Sequence, residues 1–545
     1  MNRSRTRWLL VVVAVLLWML AIYPAYYVVH KPLNEANVRA LAGLLADLLT
    51  WLAVMGIATA LGSRLTRAIT YHTLLERLVF GCGFGLAALS LATTALGFAG
   101  LLYRWLFWLL LALTGLALWR EFGRLAGAIR RAAIPRPRGV WPTLLVAFIA
   151  ATLLLALLVA LTPPVEWDAL TYHLAGPDRY LQNHRLTAEF DIYYLFFPSF
   201  MEMLFTAGLA LRSDIVARLL HFSYLLLTLG ALGAFALRYW KPRQGLVAAA
   251  FFVSIPTAVQ IAAWAYVDLA LSFYTFAAFY ALYNWLAAPA PETGPRPAAA
   301  RGWLLLAGLF SGAAAAIKYT GAACLLALGA VLLWALIRRR IEARRFLVGA
   351  LALGALTALV AGPWYLRNTL VAGNPIYPLI WGGQGWNEVS TRWLLVLGEK
   401  KTALDLLLVP WTLTVVGQQG SLAYDATISP IFLLLLPLLL LVRREARAIG
   451  ELLLAAAVGY VAWLASGAAS YGTFVLQGRM LFPIFPALGL LCAYALDGLR
   501  AWDRRHFSIR RVVTMVVALT LAFGLLTQAL LVAGFNPIPY LVGHK

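Results

Sequence analysis

The stretch PPVEWDALTYHLAGPDRYLQNHRLTAEFDIYYLFFPSFME, residues 163–202, decides how this chain is read. It carries Glu166, Asp168, Asp178, Glu189 and Asp191, two histidines and a dense set of aromatics. It begins where a long apolar segment, 141–161, ends in Thr162-Pro163-Pro164. A polar loop with acids at the mouth of a membrane helix is a place where chemistry on a lipid-borne substrate can occur. What matters next is which side of the membrane the loop faces and what else converges on it.

Composition sets the class. The 545 residues are 63% hydrophobic and 12% charged, with mean hydropathy +0.82. A soluble domain averages about 45–50% apolar and about 25% charged residues, so the chain reads as a polytopic membrane protein. The formal charge is +22. Nucleic-acid binding would need those bases clustered on a soluble domain, but they sit in short runs between apolar segments. Cys82, Cys324 and Cys492 all lie inside apolar segments, without disulfide or metal spacing. The first apolar segment, 8–29, follows Arg3, Arg5 and Arg7 and shows no clear cleavage site. It reads as a retained helix with a cytoplasmic N-terminus.

A spanning helix needs about 20 apolar residues, and about fifteen segments qualify: 8–29, 38–61, 78–98, 101–118, 141–161, 215–237, 246–263, 269–286, 303–317, 322–337, 346–361, 431–442, 452–465, 481–496 and 512–533. The basic clusters test the count. Arg64/Arg67/Arg77, Arg120–Arg138, Arg238/Lys241/Arg243, Arg296/Arg301, Arg338–Arg345, Arg443/Arg444/Arg447 and Arg500–Arg511 all fall on one side of the same alternation. By the positive-inside rule that side is cytoplasmic. Two long loops, 163–214 and 363–430, then face outward. The first is expected to hold interfacial helices around 168–182 and 198–211. In the second, the apolar stretch 404–416 is expected to lie on the membrane face.

The ionisable residues at the outer ends of spans are the candidates for chemistry. Asp168 stands just past a span, two residues after Glu166, with Tyr172 and His173 following it. Asp268 stands in Ala265-Tyr266-Val267-Asp268, at a tight outer turn. For both acids the plain alternative is a helix cap. Lys318, Arg367 and Arg479 each place one cation at a different outer turn. A phosphate or pyrophosphate headgroup would need such an arrangement; the plain alternative is snorkelling to lipid headgroups. His173, His184 and His221 lack ligand spacing. Glu166, Asp168, His173 and Asp268 could bind a divalent cation only if the fold gathers them. No Walker loop, dinucleotide fingerprint or GxSxG elbow occurs. The run Gly81-Cys82-Gly83-Phe84-Gly85 reads as close helix packing.

In this order, all on one membrane side, the motifs resemble the polytopic GT-C glycosyltransferases. The branch includes the dolichyl-phosphate-mannose protein mannosyltransferases, the aminoarabinose transferases and the RgtA/B/C/D-like transferases. The residues that carry the resemblance are Glu166-Trp167-Asp168 with Tyr172-His173, then Phe197-Pro198 with Glu202, then Tyr266-Val267-Asp268 and Lys318. They continue through Pro363-Trp364-Tyr365-Leu366-Arg367-Asn368, Gly373-Asn374-Pro375-Ile376-Tyr377-Pro378 and Gly478-Arg479. The resemblance implies an all-α fold with a catalytic membrane module at 141–430, preceded by helices of unassigned role at 1–140 and followed by helices at 431–545. It also implies a polyprenyl-phosphate-linked sugar as donor, a lipid, glycan or protein acceptor, no cofactor, and Asp168 as general base. Asp268 would assist it, with Glu166, Tyr172, His173, Tyr266, Lys318, Arg367 and Arg479 binding substrate. The expected location is a bacterial plasma membrane, with the site on the extracytoplasmic side. Two other classes compete. A transporter or lipid flippase would place its ionisable residues near the bilayer midplane, in paired repeats. A non-catalytic assembly subunit would have no need of both Asp168 and Asp268.

Overall fold

The computed structural model describes residues 3–30, 35–132, 137–288, 298–389, 402–420, 424–443, 446–469, 476–503 and 508–535. Among these residues the fold is helical throughout. That is the answer apolar sequence must give in a bilayer, where each backbone N–H and C=O has to be satisfied within its own segment. The order is α1 (Arg3–His30), α2 (Glu35–Leu65), α3 (Leu74–Ala99), α4 (Arg104–Ala117), α5 (Trp119–Arg131) and α6 (Val140–Ala160). Next come α7 (Ala175–Gln182), α8 (Phe200–Leu211), α9 (Asp214–Tyr239), α10 (Pro242–Val253), α11 (Pro256–Ala262), α12 (Asp268–Ala287) and α13 (Ala298–Ile317). The chain continues with α14 (Ala322–Ile337), α15 (Ala343–Ala372), α16 (Ala403–Val415), α17 (Ile431–Leu435), α18 (Ile449–Ala469), α19 (Phe485–Gly498) and α20 (Ile509–Phe535).

The chain is a multi-pass membrane protein. Among the described residues, 11 helices are long and apolar enough to cross a bilayer, or 14 if each bent pair is one span; the expected fifteen are not all formed. Three differences have local causes. Segment 431–442 is broken by Pro437, so α17 gives way to a short 3-10 turn, Pro437–Leu440. Segment 246–263 bends by 79° between α10 and α11, with Pro256 opening the second piece. The second outer loop starts later than expected, because α15 runs through Pro363 and stops at Gly373, whose φ of 73° suits a residue without Cβ.

The first outer loop folds as a short π-type turn (Ala169–His173), α7, a 3-10 stretch (Phe190–Phe196) and α8. Between the last two the chain turns by 102°. That turn sends α8 inward, where Phe200, Met201, Met203, Leu204 and Phe205 are buried. In the second loop, α16 exposes Leu404, Leu407 and Trp411, as a helix on the membrane face should.

The glycine run in α3 packs as expected. A Cβ at Gly62 would lie 1.8 Å from the Gly81 carbonyl, and one at Gly85 1.8 Å from that of Ala58, so α2 and α3 touch backbone to backbone. The basic loops gather at one end of the bundle. There Glu121 receives Arg67, Arg77 and Arg124. Glu76 takes Arg238 at 3.0 Å and the Tyr280 hydroxyl at 2.7 Å. Arg340 pairs with Glu451. The candidate residues lie at the other ends of the same helices.

Candidate active site

Asp168 is not a helix cap. Its backbone is already helical (φ −62°, ψ −38°) and its side chain makes no capping bond. Instead its Oδ2 lies 2.6 Å from Nη2 of Arg479. Arg479 comes from the 3-10 turn ahead of α19, so the site draws on the segment assigned to the C-terminal helices as well as on 141–430. The same guanidinium reaches Oδ2 of Asp425 at 3.4 Å through Nε, and covers the ring of Tyr266 at 4.9 Å. Asp168 and Arg479 are both buried. A charge removed from water needs such a partner.

Asp268 is the second centre. It is the first residue of α12, with Val267 in the cap position, and it is 1% exposed. Nζ of Lys318 stands 3.3 Å from its Oδ1, and Arg479 and His173 are also within electrostatic reach. The turn that carries Asp268 is clasped by α9. His221 Nδ1 donates to the Trp264 carbonyl at 2.8 Å, and its Nε2 accepts from the Leu269 N–H at 3.3 Å. These two bonds fix a neutral imidazole protonated at Nδ1. One turn earlier on α9, the fully buried Arg218 donates to the carbonyls of Thr162 and Ala263 and to Glu166, the last at 3.2 Å. Arg218 thereby ties the base of the first loop to the Asp268 turn.

The aromatics form the walls. Tyr172 stacks on Tyr194 with centroids 4.5 Å apart, and His173 lies 5.6 Å from Tyr266. His173 Nδ1 is 2.7 Å from Oε1 of the buried Glu202 on α8. Burial, reinforced by the Asp168 charge, pushes the Tyr172 phenol well above its ordinary range. Burial likewise raises Asp425 above the ordinary carboxylate range, with Arg479 and the Gly420 N–H pulling the other way.

Thus Asp168, Tyr172, His173, Tyr266, Asp268, Lys318 and Arg479 come together. Glu166 is committed to Arg218. Arg367 stands apart: it is packed over Trp364 at 5.1 Å and bonded to Oδ1 of Asn368 at 2.9 Å, with the Tyr180 hydroxyl also beside its guanidinium. Among the described residues no three His, Cys, Asp or Glu side chains form a group able to hold a metal. Sequence reasoning missed Asp425 and Arg218. Nothing local marks Asp425. Arg218 and His221, one turn apart in an apolar span, were a signal in themselves, because ionisable residues inside a membrane segment are costly.

A cavity of ≈ 200 Å³ opens beside this centre. Tyr319 and Thr320, next to Lys318, and Met480 and Leu481, next to Arg479, line it, and it continues between α14 and α18 past Trp463. It is an apolar slot whose walls include the chain neighbours of the two cations, though neither Lys318 nor Arg479 lines it.

Residues 200–371 match the family model of the dolichyl-phosphate-mannose-protein mannosyltransferases. The mannosyltransferase match runs from α8 to the end of α15, so it includes Asp268, Lys318 and Arg367 and leaves Asp168, Asp425 and Arg479 outside. Similar solved structures include ArnT from Cupriavidus metallidurans bound to undecaprenyl phosphate, at 19% identity over 74% of each chain with a TM-score of 0.46. The apo form of that protein matches at 19% identity over 73% of each chain, with a TM-score of 0.43. The archaeal oligosaccharyltransferase AglB from Archaeoglobus fulgidus, in complex with an inhibitory peptide and a dolichol-phosphate, is 14% identical over 71% of this chain and 55% of its own, with a TM-score of 0.37. No curated protein matches the chain.

Proposed function

We propose that this protein is a membrane glycosyltransferase that moves a sugar from a polyprenyl-phosphate donor to an acceptor hydroxyl, at the extracytoplasmic face of a bacterial plasma membrane. The observation that carries the reading is the meeting of Asp168 with Arg479 and of Asp268 with Lys318, with an apolar slot lined by the chain neighbours of both cations. The four residues come from four separate segments. A buried guanidinium and a partly buried ammonium suit a lipid phosphate, and the slot suits the prenyl chain. The family match over 200–371 supports the same reaction class.

In this mechanism the acceptor O–H loses its proton to Asp168 as the acceptor oxygen bonds to the sugar C1. The bond from C1 to the phosphate oxygen breaks, and its electron pair stays on the phosphate. A single displacement of this kind inverts C1. Arg479 and Lys318 take up the charge that grows on the leaving phosphate. Arg479 now lies on Asp168, so an incoming phosphate competes with that carboxylate for the guanidinium. Asp268 holds Lys318, and Asp425, itself fixed by Gln419 and the Gly420 N–H, holds the Nε side of Arg479. Arg367, buried and without a carboxylate partner among the described residues, is a further phosphate-binding candidate.

The test is an assay of purified protein with a panel of radiolabelled polyprenyl-phosphate sugars. Consumption of one donor with release of the lipid phosphate supports transfer. Movement of labelled lipid between leaflets with no donor consumed would support a flippase instead, the reading that the bent pair of α10 and α11 favours.

A further inference from the structure

A second apolar groove, of ≈ 150 Å³, lies between the outer ends of α6, α11 and α20. It shares no lining residue with the slot beside Lys318 and Arg479. Val159, Val165, Glu166, Gln260, Trp264 and Gln528 are among its walls.

Three observations bear on what fills it. First, it adjoins the charged centre. Glu166 is two residues from Asp168, and the Trp264 ring lies 5.1 Å from that of Tyr266, which in turn lies under Arg479. Second, it contains an unanswered acceptor. Gln528 is 3% exposed. Its Nε2 donates to the Val253 carbonyl at 3.3 Å, a group freed by the break between α10 and α11, while its Oε1 has no partner. The Nε2 bond explains why an amide is tolerated there, but not why a buried acceptor is left open in an otherwise apolar helix, which is costly. A hydroxyl or amide N–H on an occupant would satisfy it. Third, its exposed lining is apolar: Val165 and Leu531 on its walls are both exposed, and Trp167 and Leu170, just after Val165 in the chain, are exposed too. A lining of that kind meets lipid, so a soluble peptide or glycan would have to cross it to enter.

We infer that this groove holds the chain of a lipid acceptor drawn from the outer leaflet, with the lipid's hydroxyl-bearing headgroup beside Asp168. The inference rests on the transferase reading and adds the class of acceptor to it. The centre then lies between two apolar slots, one for the donor's prenyl chain and one for the acceptor's chain. Glu166 is compensated by Arg218, so the groove mouth presents no free anion to a phospholipid headgroup.

The test uses the full-length protein in nanodiscs doped with phosphatidylglycerol that carries a diazirine in one acyl chain. Crosslinks are mapped, and binding of undecaprenyl phosphate is measured by native mass spectrometry on the same samples. Crosslinks are expected at Leu155, Ala156 and Val159 of α6 and at Val259 and Gln260 of α11. Leu531→Trp, on the groove wall of α20, should reduce them about tenfold, with Gln528→Leu reducing them less, and undecaprenyl phosphate should still bind. Ala323→Trp, in the other slot, should do the reverse. Crosslinks confined to outward residues of α20, or unchanged by Leu531→Trp, mean surface lipid only and overturn the inference. So does loss of undecaprenyl phosphate binding in Leu531→Trp, which would make the groove the donor's. If wild-type protein fails to bind undecaprenyl phosphate at all, the transferase reading itself falls; if it binds and no groove crosslink forms, only the acceptor groove falls.

Discussion

Replacing Asp168 with Asn separates a proton acceptor from a charge partner. Asn keeps the shape and one carbonyl oxygen but cannot take a proton. Loss of a general base lowers kcat by about 10²–10⁴-fold, which is about 2.7–5.4 kcal/mol at 1.36 kcal/mol per decade. The structural cost is a different quantity. Stripping one partner from a buried ion pair typically costs about 3–5 kcal/mol. Here Arg479 keeps Asp425 at 3.4 Å and the Tyr266 ring at 4.9 Å. The expected loss is therefore nearer that of one charged hydrogen bond, about 1.5–3 kcal/mol. Donor affinity should move the other way. With no carboxylate at 2.6 Å competing for Nη2, undecaprenyl phosphate should bind more tightly to Asp168→Asn than to wild type. The assay is single-turnover transfer, with gel filtration in detergent to confirm folding and a separate measurement of lipid-phosphate binding. Transfer at near wild-type rate refutes the base assignment. A collapse of donor binding refutes it differently, by making Asp168 part of the donor's seat.

Asp268→Asn should lower kcat less than Asp168→Asn and should weaken donor binding, because Lys318 loses the carboxylate that places it; an inactive Asp268→Asn beside an active Asp168→Asn would reverse the roles. Asp425 is raised above the ordinary carboxylate value of about 3.9, so its ionisation on raising the pH gives Arg479 a second anionic partner and should weaken donor binding across that window. Stability follows the same sign, greatest below the ordinary value and declining as pH climbs past the raised one; Asp425→Asn should flatten both profiles relative to wild type, and an unchanged profile would remove Asp425 from the site. Arg367→Ala should weaken donor binding by the about 1.5–3 kcal/mol of a charge-assisted bond, and unchanged donor KM and kcat would leave it a packing residue over Trp364. Cysteines placed at the exposed positions of Gln182 and Gln384 should be labelled from the extracytoplasmic side only, and cytoplasmic labelling of either would overturn the topology.

Much of this architecture is legible because a bilayer enforces simple rules. Runs of apolar residues must be helices, and arginines must lie at alternate ends, so α2, α3, α6, α9, α13 and α14 fall close to their expected places. Asp168, Asp268, Lys318 and Arg479 were also readable, because an ionisable residue at the end of an apolar helix is costly unless something answers it. Which residue answers which was not readable. Asp168 and Arg479 lie more than half the chain apart, and no local pattern links them. The reach of α15 through Pro363 was hidden for another reason: a proline inside a membrane helix removes one N–H, and the neighbouring helices let the rest of the helix continue. The short α17 shows the reverse. There Pro437 sits in an apolar run with less helix on either side, and the helix ends.

The pairing of Arg479 with Asp168 also bears on how a round of catalysis would end. After transfer the spent carrier is still a phosphate held by a buried guanidinium, and such complexes leave slowly. Asp168, having lost the proton it took, is again an anion tethered a few ångströms away. Reforming the contact seen here displaces the phosphate from within, at an effective concentration no free anion in solution can reach. In the proposed reaction the carboxylate that accepts the proton would thus double as the ejector of the by-product. A variant with a weakened grip between the two should stall with spent carrier bound, and should show a burst of one turnover followed by a slow steady rate.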